Sequence, residues 1–130
     1  MTRKRNKNRS FFIACDGGRK PGYSYGSYTI YETDKELEHV SRRELPRANT
    51  SNEAEYLILI AALEHLNGRA HKGDKLLIKS DSKLMVNHLN GEWGVDKLKP
   101  LFIELVGLLK DFDWEAKWWH RSNSEKLFGH

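Results

Sequence analysis

Two short apolar runs in the chain each end in an aspartate. Phe11-Phe12-Ile13-Ala14-Cys15 leads into Asp16, and Lys75-Leu76-Leu77-Ile78-Lys79-Ser80 leads into Asp81. Between them Thr50-Ser51-Asn52-Glu53 has the form of a capping box, a hydroxyl residue followed three positions later by a glutamate, and Glu55 comes just after it. Read as buried strands, the two runs deliver their aspartates at strand C-termini, where ligands gather in open α/β sheets. Glu55 then falls in the first turn of a helix, whose positive end favours an ionised carboxylate. If that helix packs on the two strands, three carboxylates meet at one sheet edge and repel one another. A hard dication relieves that repulsion, and Mg²⁺ or Mn²⁺ suits a sparse carboxylate set completed by water and phosphate. Either aspartate alone is better read as a turn residue bonding local amides. Two of them at strand ends, with an acid opening the helix between, point to a metal.

The elements that would position these acids follow from apolar patterning. Phe11 to Cys15 reads as a strand ending in the turn Asp16-Gly17-Gly18, and Tyr23 to Tyr31 as a second strand rich in tyrosine, threonine and serine. A turn at Asp34-Lys35 leads to a weaker third strand over Leu37 to Leu45, giving an antiparallel meander. Tyr56 to Leu63 is apolar on nearly every side, so periodicity does not separate helix from strand. The preceding cap and Ala61-Ala62-Leu63-Glu64 decide for a buried helix, ended at Asn67-Gly68. Lys75 to Ser80 is the fourth strand, Ser82 to Leu89 a brief helix, the Leu98 to Phe112 stripe an amphipathic helix, and Trp114 to Trp119 the fifth strand. This order predicts an α/β fold, a mixed five-stranded sheet flanked by helices, with no final helix after the last strand.

Composition narrows the class. The 130 residues, 38% hydrophobic and 31% charged, suit one soluble domain. Cys15 is the single cysteine, which excludes an internal disulfide and a cysteine-built zinc site. No run is long enough to cross a bilayer and no apolar segment resembles a secretory signal, so a cytoplasmic address is expected. The net charge is +4, and Arg3, Lys4, Arg5, Lys7 and Arg9 fall in the first ten residues without an acid. Residues 1–9 therefore read as a disordered basic tail before a domain over 10–130. Two roles stand side by side for it, neutralising nucleic-acid phosphates or solubilising the chain.

The local words are more specific than the pattern. Cys15-Asp16-Gly17-Gly18, Thr50-Ser51-Asn52-Glu53-Ala54-Glu55-Tyr56 and Ser80-Asp81-Ser82 stand in the order and approximate spacing of the type 1 ribonuclease H family. Leu89-Asn90-Gly91-Glu92-Trp93, Lys99-Pro100-Leu101 and the tryptophan-rich last strand extend the resemblance over about residues 9–121. The short stretch between Gly91 and Lys99 is similar to compact members without a basic protrusion. The resemblance implies an endonuclease that cuts the RNA strand of RNA–DNA hybrids, leaving 5′-phosphate and 3′-hydroxyl ends. It implies two divalent ions, with Asp16 bridging them and Glu55 and Asp81 holding one each, while Glu53 caps the helix. Thr50 would meet a DNA phosphate, and Ser51 and Asn52 the minor groove, where 2′-hydroxyls distinguish RNA; helix capping is the alternative. Lys83 occupies another hybrid-facing position, with a solvated lysine as the alternative. Trp93 stacks near the DNA strand or is buried in the core. Trp114, Trp118 and Trp119 read as core and sheet-face residues.

The resemblance breaks near the C-terminus. The family pattern places a fourth carboxylate, an aspartate, at the start of a final helix, and a histidine about ten residues before it that helps product leave. His120 fits that histidine. Ungapped counting puts His130 at the aspartate position, and Glu125 is reached only by a deletion. A catalytically weak or inactive module binding hybrid or double-stranded RNA is the second reading; another nuclease of the same superfold is the third, disfavoured by Thr50-Ser51-Asn52. No obligate protein partner is indicated.

Overall fold

A computed structural model describes residues 8–129. It contains strands β1 (Ser10–Lys20), β2 (Tyr23–Glu32) and β3 (Lys35–Glu44), helix α1 (Ser51–Asn67), strand β4 (Lys75–Ser80), helices α2 (Lys83–Leu89) and α3 (Lys99–Leu109), strand β5 (Asp113–Trp118) and helix α4 (Arg121–Phe128). One sheet runs in the order β3-β2-β1-β4-β5. The meander β1-β2-β3 is antiparallel, while β4 joins β1 and β5 in parallel. This is the mixed five-stranded sheet flanked by helices that the apolar pattern predicts.

β1 is longer than its apolar run. It continues through Asp16, Gly17 and Gly18 to Lys20, still paired with β2, and the chain turns at Pro21-Gly22, where Gly22 has φ of 90°. The parallel pairing with β4 stops at Cys15 opposite Ser80. Asp16 is thus the first residue past the parallel segment, in the interior of β1 and not in a turn. Gly17 and Gly26 are register partners on β1 and β2. A Cβ on Gly17 would lie 2.7 Å from the Ala54 carbonyl carbon and the Glu55 nitrogen, and one on Gly26 would lie 2.6 Å from Ile58 Cβ. The glycine pair is a notch that seats α1 against the sheet.

Helix α1 packs on β1 and β2 with one side and on α3 with another. That double contact buries Tyr56, Ile58, Leu59, Ile60, Leu63 and Leu66 and explains an apolar surface with no polar stripe. Each such side chain contributes roughly 1.5–3 kcal/mol by leaving water. Thr50 is the N-cap, its Oγ1 accepting from the Glu53 amide at 3.1 Å, while Glu53 Oε1 accepts from the Asn49 amide at 2.6 Å. The predicted cap is therefore present.

The expectation of no final helix is overturned by α4. Its N-cap is His120, whose Nδ1 accepts from the Ser122 amide at 3.1 Å, and it stops at Gly129 in the left-handed region with φ of 77°. Ser124 and Phe128 are buried, and the Phe128 ring stacks on His39 of β3 at 6.0 Å. Arg121-Ser122-Asn123-Ser124-Glu125-Lys126 has no apolar periodicity, so α4 rests on these caps and its docking to the sheet, signals that patterning does not register. Arg9, counted with the tail in sequence, is tied to the fold: its Nε meets Glu32 at 2.9 Å and its amide donates to Asp74 Oδ1 at 2.9 Å. The tail's other cations, Arg3 to Lys7, lie outside the described residues. Among those described, no helix is long and apolar enough to cross a membrane.

Candidate metal centre and nucleic-acid surface

Asp16, Glu55 and Asp81 come together although they are far apart in sequence. Each offers a carboxylate oxygen, and these oxygens lie within 4.8 Å of one another. β1 supplies Asp16 just past its parallel pairing, β4 supplies Asp81 just past its end, and α1 supplies Glu55 over the Gly17 notch. Glu55 is the fifth residue of α1, in the second turn rather than the first. The helix-end effect falls off beyond the first turn, so it acts on Glu55 more weakly than expected. Burial, then the charges of Asp16 and Asp81, hold its carboxyl well above the usual range, against the opposing Gly17 amide and Arg121. The Gly17 amide donates to Glu55 Oε1 at 3.0 Å.

Asp16 is likewise raised, to about 7, by burial first, then by the charge of Asp81 and a hydrogen bond with it, with Arg121 and the Gly17 amide pulling down. The Asp81 side chain is 6% exposed, and its Oδ2 accepts no hydrogen bond from a protein donor. Arg121 Nε is 3.9 Å from that oxygen, an ion-pair distance without hydrogen-bond contact. Three buried carboxylates, two of them held toward the neutral form and one with an unbonded oxygen, fit a hard dication, which would favour all three ionised.

The other candidates spread outward from this cluster. Thr50, Asn52 and Glu53 line a cleft of about 410 Å³ with Leu84, His88, Gly94 and Asp96-Lys97-Leu98. Ser51 is exposed at the same helix end. Lys83 Nζ stands over the Trp118 ring at 4.9 Å, so its ammonium is not purely solvated. Trp93 is 49% exposed, which eliminates its core reading. Trp118 is 42% exposed, its Nε1 donates to the Asp81 carbonyl at 3.0 Å, and its ring meets His120 edge-on at 6.2 Å. It is an exposed β5 aromatic beside Asp81. His120 is exposed at the start of α4. Glu125 is outside the acid cluster, and His130 lies outside the described residues.

Two participants have no counterpart in the sequence reading. Arg121 becomes visible as a neighbour of Asp81 only once α4 is docked. His88 is buried, with Nδ1 2.7 Å from the Tyr56 hydroxyl, joining α2 to α1 beneath the cleft. A lone histidine in a short helix carries no sequence signal for that contact.

The family model described as reverse transcriptase-like matches residues 14–126. No curated protein sequence matches the chain. Among solved structures, the N-terminal RNase H domain of Rv2228c from Mycobacterium tuberculosis is 26% identical, with 88% of this chain and 89% of that chain covered and a TM-score of 0.77. RNase H1 from the halophilic archaeon Halobacterium salinarum NRC-1 is 24% identical, with 92% and 93% covered and a TM-score of 0.79. LC11-RNase H1, in complex with an RNA/DNA hybrid, is 22% identical, with 91% and 92% covered and a TM-score of 0.71.

Proposed function

The chain belongs to the reverse transcriptase-like family, of ribonuclease H fold, and from that premise we propose that it is an endonuclease hydrolysing the RNA strand of RNA–DNA hybrids. The observation that carries the reading is the convergence of Asp16, Glu55 and Asp81, with carboxylate oxygens within 4.8 Å, on a fold shared with type 1 ribonucleases H. Asp16 would reach both of two divalent ions in the catalytic complex, with Glu55 and Asp81 at one each. When bound, such ions supply an activated water for in-line attack on phosphorus and stabilise the leaving 3′ oxygen, which gives 5′-phosphate and 3′-hydroxyl ends.

The chain's own residues do the rest. The Gly17 amide orients Glu55, and the glycine notch fixes its distance from Asp16. Thr50, Ser51 and Asn52 stand at the α1 N-terminus, whose free amides and dipole suit a phosphate, while exposed hydroxyl and amide groups suit 2′-hydroxyls. Lys83 and Trp118, next to Asp81, would offer cationic and stacking surface, and exposed Trp93 a further stacking surface. His120, exposed at the start of α4, takes the part of a product-release residue.

Labelled hybrid, RNA duplex and DNA duplex, each with Mg²⁺, Mn²⁺ or EDTA, test the proposal on a gel. The expected result is metal-dependent cleavage confined to RNA paired with DNA and lost in Asp16→Asn. Uncut hybrid, or full activity in a folded Asp16→Asn protein, would overturn it. One observation favours the second reading, an inactive module that binds hybrid or double-stranded RNA: the first turn of α4 carries no acid, and Arg121 stands there. Tight hybrid binding without cleavage would establish that reading.

A further inference from the structure

The resemblance to ribonucleases H places a carboxylate at the start of a final helix. Here α4 opens with a cation. Arg121 is the first residue of α4, and its Nε is 3.9 Å from Asp81 Oδ2. The helix start is held in place from both sides. The Trp119 amide donates to the Ser80 carbonyl at 3.0 Å, one residue from Asp81. His120 caps the first turn, and the far end is tied down by the Phe128 stack on His39 and by Arg42 Nη2 donating to the Gly129 carbonyl at 3.2 Å. Arg121 is therefore kept beside the acids by the docking of α4.

The charges can be counted. Three ionised carboxylates carry −3, and two divalent ions would carry +4; four carboxylates would match two ions, whereas three and a guanidinium sum to −2, the charge that one divalent ion neutralises. The pair is also unequal in its surroundings. Arg121 is 66% exposed and loses little hydration by staying or leaving, whereas the Asp81 side chain is 6% exposed. At 3.9 Å, with no hydrogen bond formed, the guanidinium neutralises without locking, so it can be displaced.

We propose that Arg121 is a resident counter-ion of the acid cluster, restricting the protein without nucleic acid to one divalent ion by occupying the Asp81 side. A second ion then enters only with the phosphate of a bound strand, which adds the missing negative charge and draws the guanidinium from Asp81. Arg121 is a positioning residue in this account, acting on metal loading through Asp81. The inference rests on the reading of Asp16, Glu55 and Asp81 as a metal site, and it concerns the occupancy of that site.

Calorimetric titration of the full chain with Mn²⁺ and with Mg²⁺ alone, without nucleic acid, tests it. The proteins are the wild type, Arg121→Gln, Arg121→Lys and, as a control on the site itself, Asp16→Asn, with circular dichroism to confirm folding. The wild type should bind one ion. Arg121→Gln should bind the first ion roughly threefold to tenfold more tightly, the range open to a half-screened ion pair, and should show a weaker second site. Arg121→Lys, which keeps the charge, should stay near the wild type. If Arg121→Gln matches the wild type in affinity and stoichiometry, or binds more weakly, while Asp16→Asn loses the ion, the counter-ion role is overturned and the metal site stands. If the wild type binds no ion, or Asp16→Asn binds as well as the wild type, the metal-site reading fails and the counter-ion falls with it.

Discussion

The Gly17 amide donates a 3.0 Å hydrogen bond to Glu55 Oε1, and the same glycine brings the sheet so close to α1 that a Cβ there would lie 2.7 Å from the Glu55 nitrogen. One residue thus sets both the distance and the orientation of a candidate metal ligand. Gly17→Ala should push α1 from the sheet, destabilising the fold by about 1–3 kcal/mol as overpacking does, and weaken divalent binding in whatever fraction remains folded. Gly18→Ala should be milder, because the Cβ there meets only the side chain of Tyr25, which can move. Thermal melts of the two variants with and without Mg²⁺ make the comparison. Equal losses would mean that the close approach of α1 is not what matters at Gly17.

The raised Asp16 carboxyl predicts a pH-dependent stability in metal-free protein. Its native value of about 7 lies above the ordinary 3.8, so the folded chain holds that proton more tightly than the unfolded one. The corresponding stability is complete below about pH 4 and is lost as pH rises through about 7. Glu55, raised in the same direction, adds to the loss. Melts in EDTA should fall between mildly acidic and mildly alkaline buffer, and Mg²⁺ or Mn²⁺ should restore most of the loss. Asp16→Asn should be more stable than the wild type at pH 8 without metal, on the order of 1 kcal/mol or more. A wild type whose metal-free melting temperature is flat across this range would contradict the burial-and-repulsion account.

The contact between Tyr56 and His88 works on the acid side. Burial lowers the His88 value from 6.5, so the neutral ring is the folded form. That stability is present above about pH 6.5 and is lost as pH falls through the lowered value. Burial pushes the Tyr56 phenol up to about 12, so it remains protonated and can donate to the ring nitrogen. Tyr56→Phe leaves that buried nitrogen without its partner and should cost about 1–2 kcal/mol. Unlike the Asp16 effect, this loss should not respond to added metal. Melts of Tyr56→Phe at pH 7, with and without Mg²⁺, check both statements.

The basic N-terminus gives a separate prediction. Removing residues 1–7 takes away Arg3, Lys4, Arg5 and Lys7 but keeps Arg9, which pairs with Glu32. Hybrid affinity should drop, and the slope of log K against log salt should flatten by at most about four, since each phosphate contact contributes roughly 0.9. Cleavage positions should stay the same, because phosphate contacts carry no base readout. Titrations at several salt concentrations decide the matter, and identical slopes would make these cations bystanders.

Local sequence by itself determined a good deal of this molecule. Thr50 and Glu53 cap α1 through bonds that span four residues, and the short apolar runs before Asp16 and Asp81 form neighbouring parallel strands. Such signals act over a few positions, so they can be read without the rest of the chain. The motif words around Asp16, Glu55 and Asp81 added the grouping of the three acids. What the tertiary structure alone decided are the relations between distant segments. Asp16 lies inside β1 because β1 goes on pairing with β2 after its partnership with β4 has ended. Glu55 is held toward its neutral form because packing buries it beside two other acids, and that outweighs any benefit from the helix end. α4 is polar in sequence and exists by virtue of its caps and of Phe128 against His39. With α4 in place Arg121 reaches Asp81 across forty residues, since burial and charge depend on which surfaces meet in space and no local pattern records that.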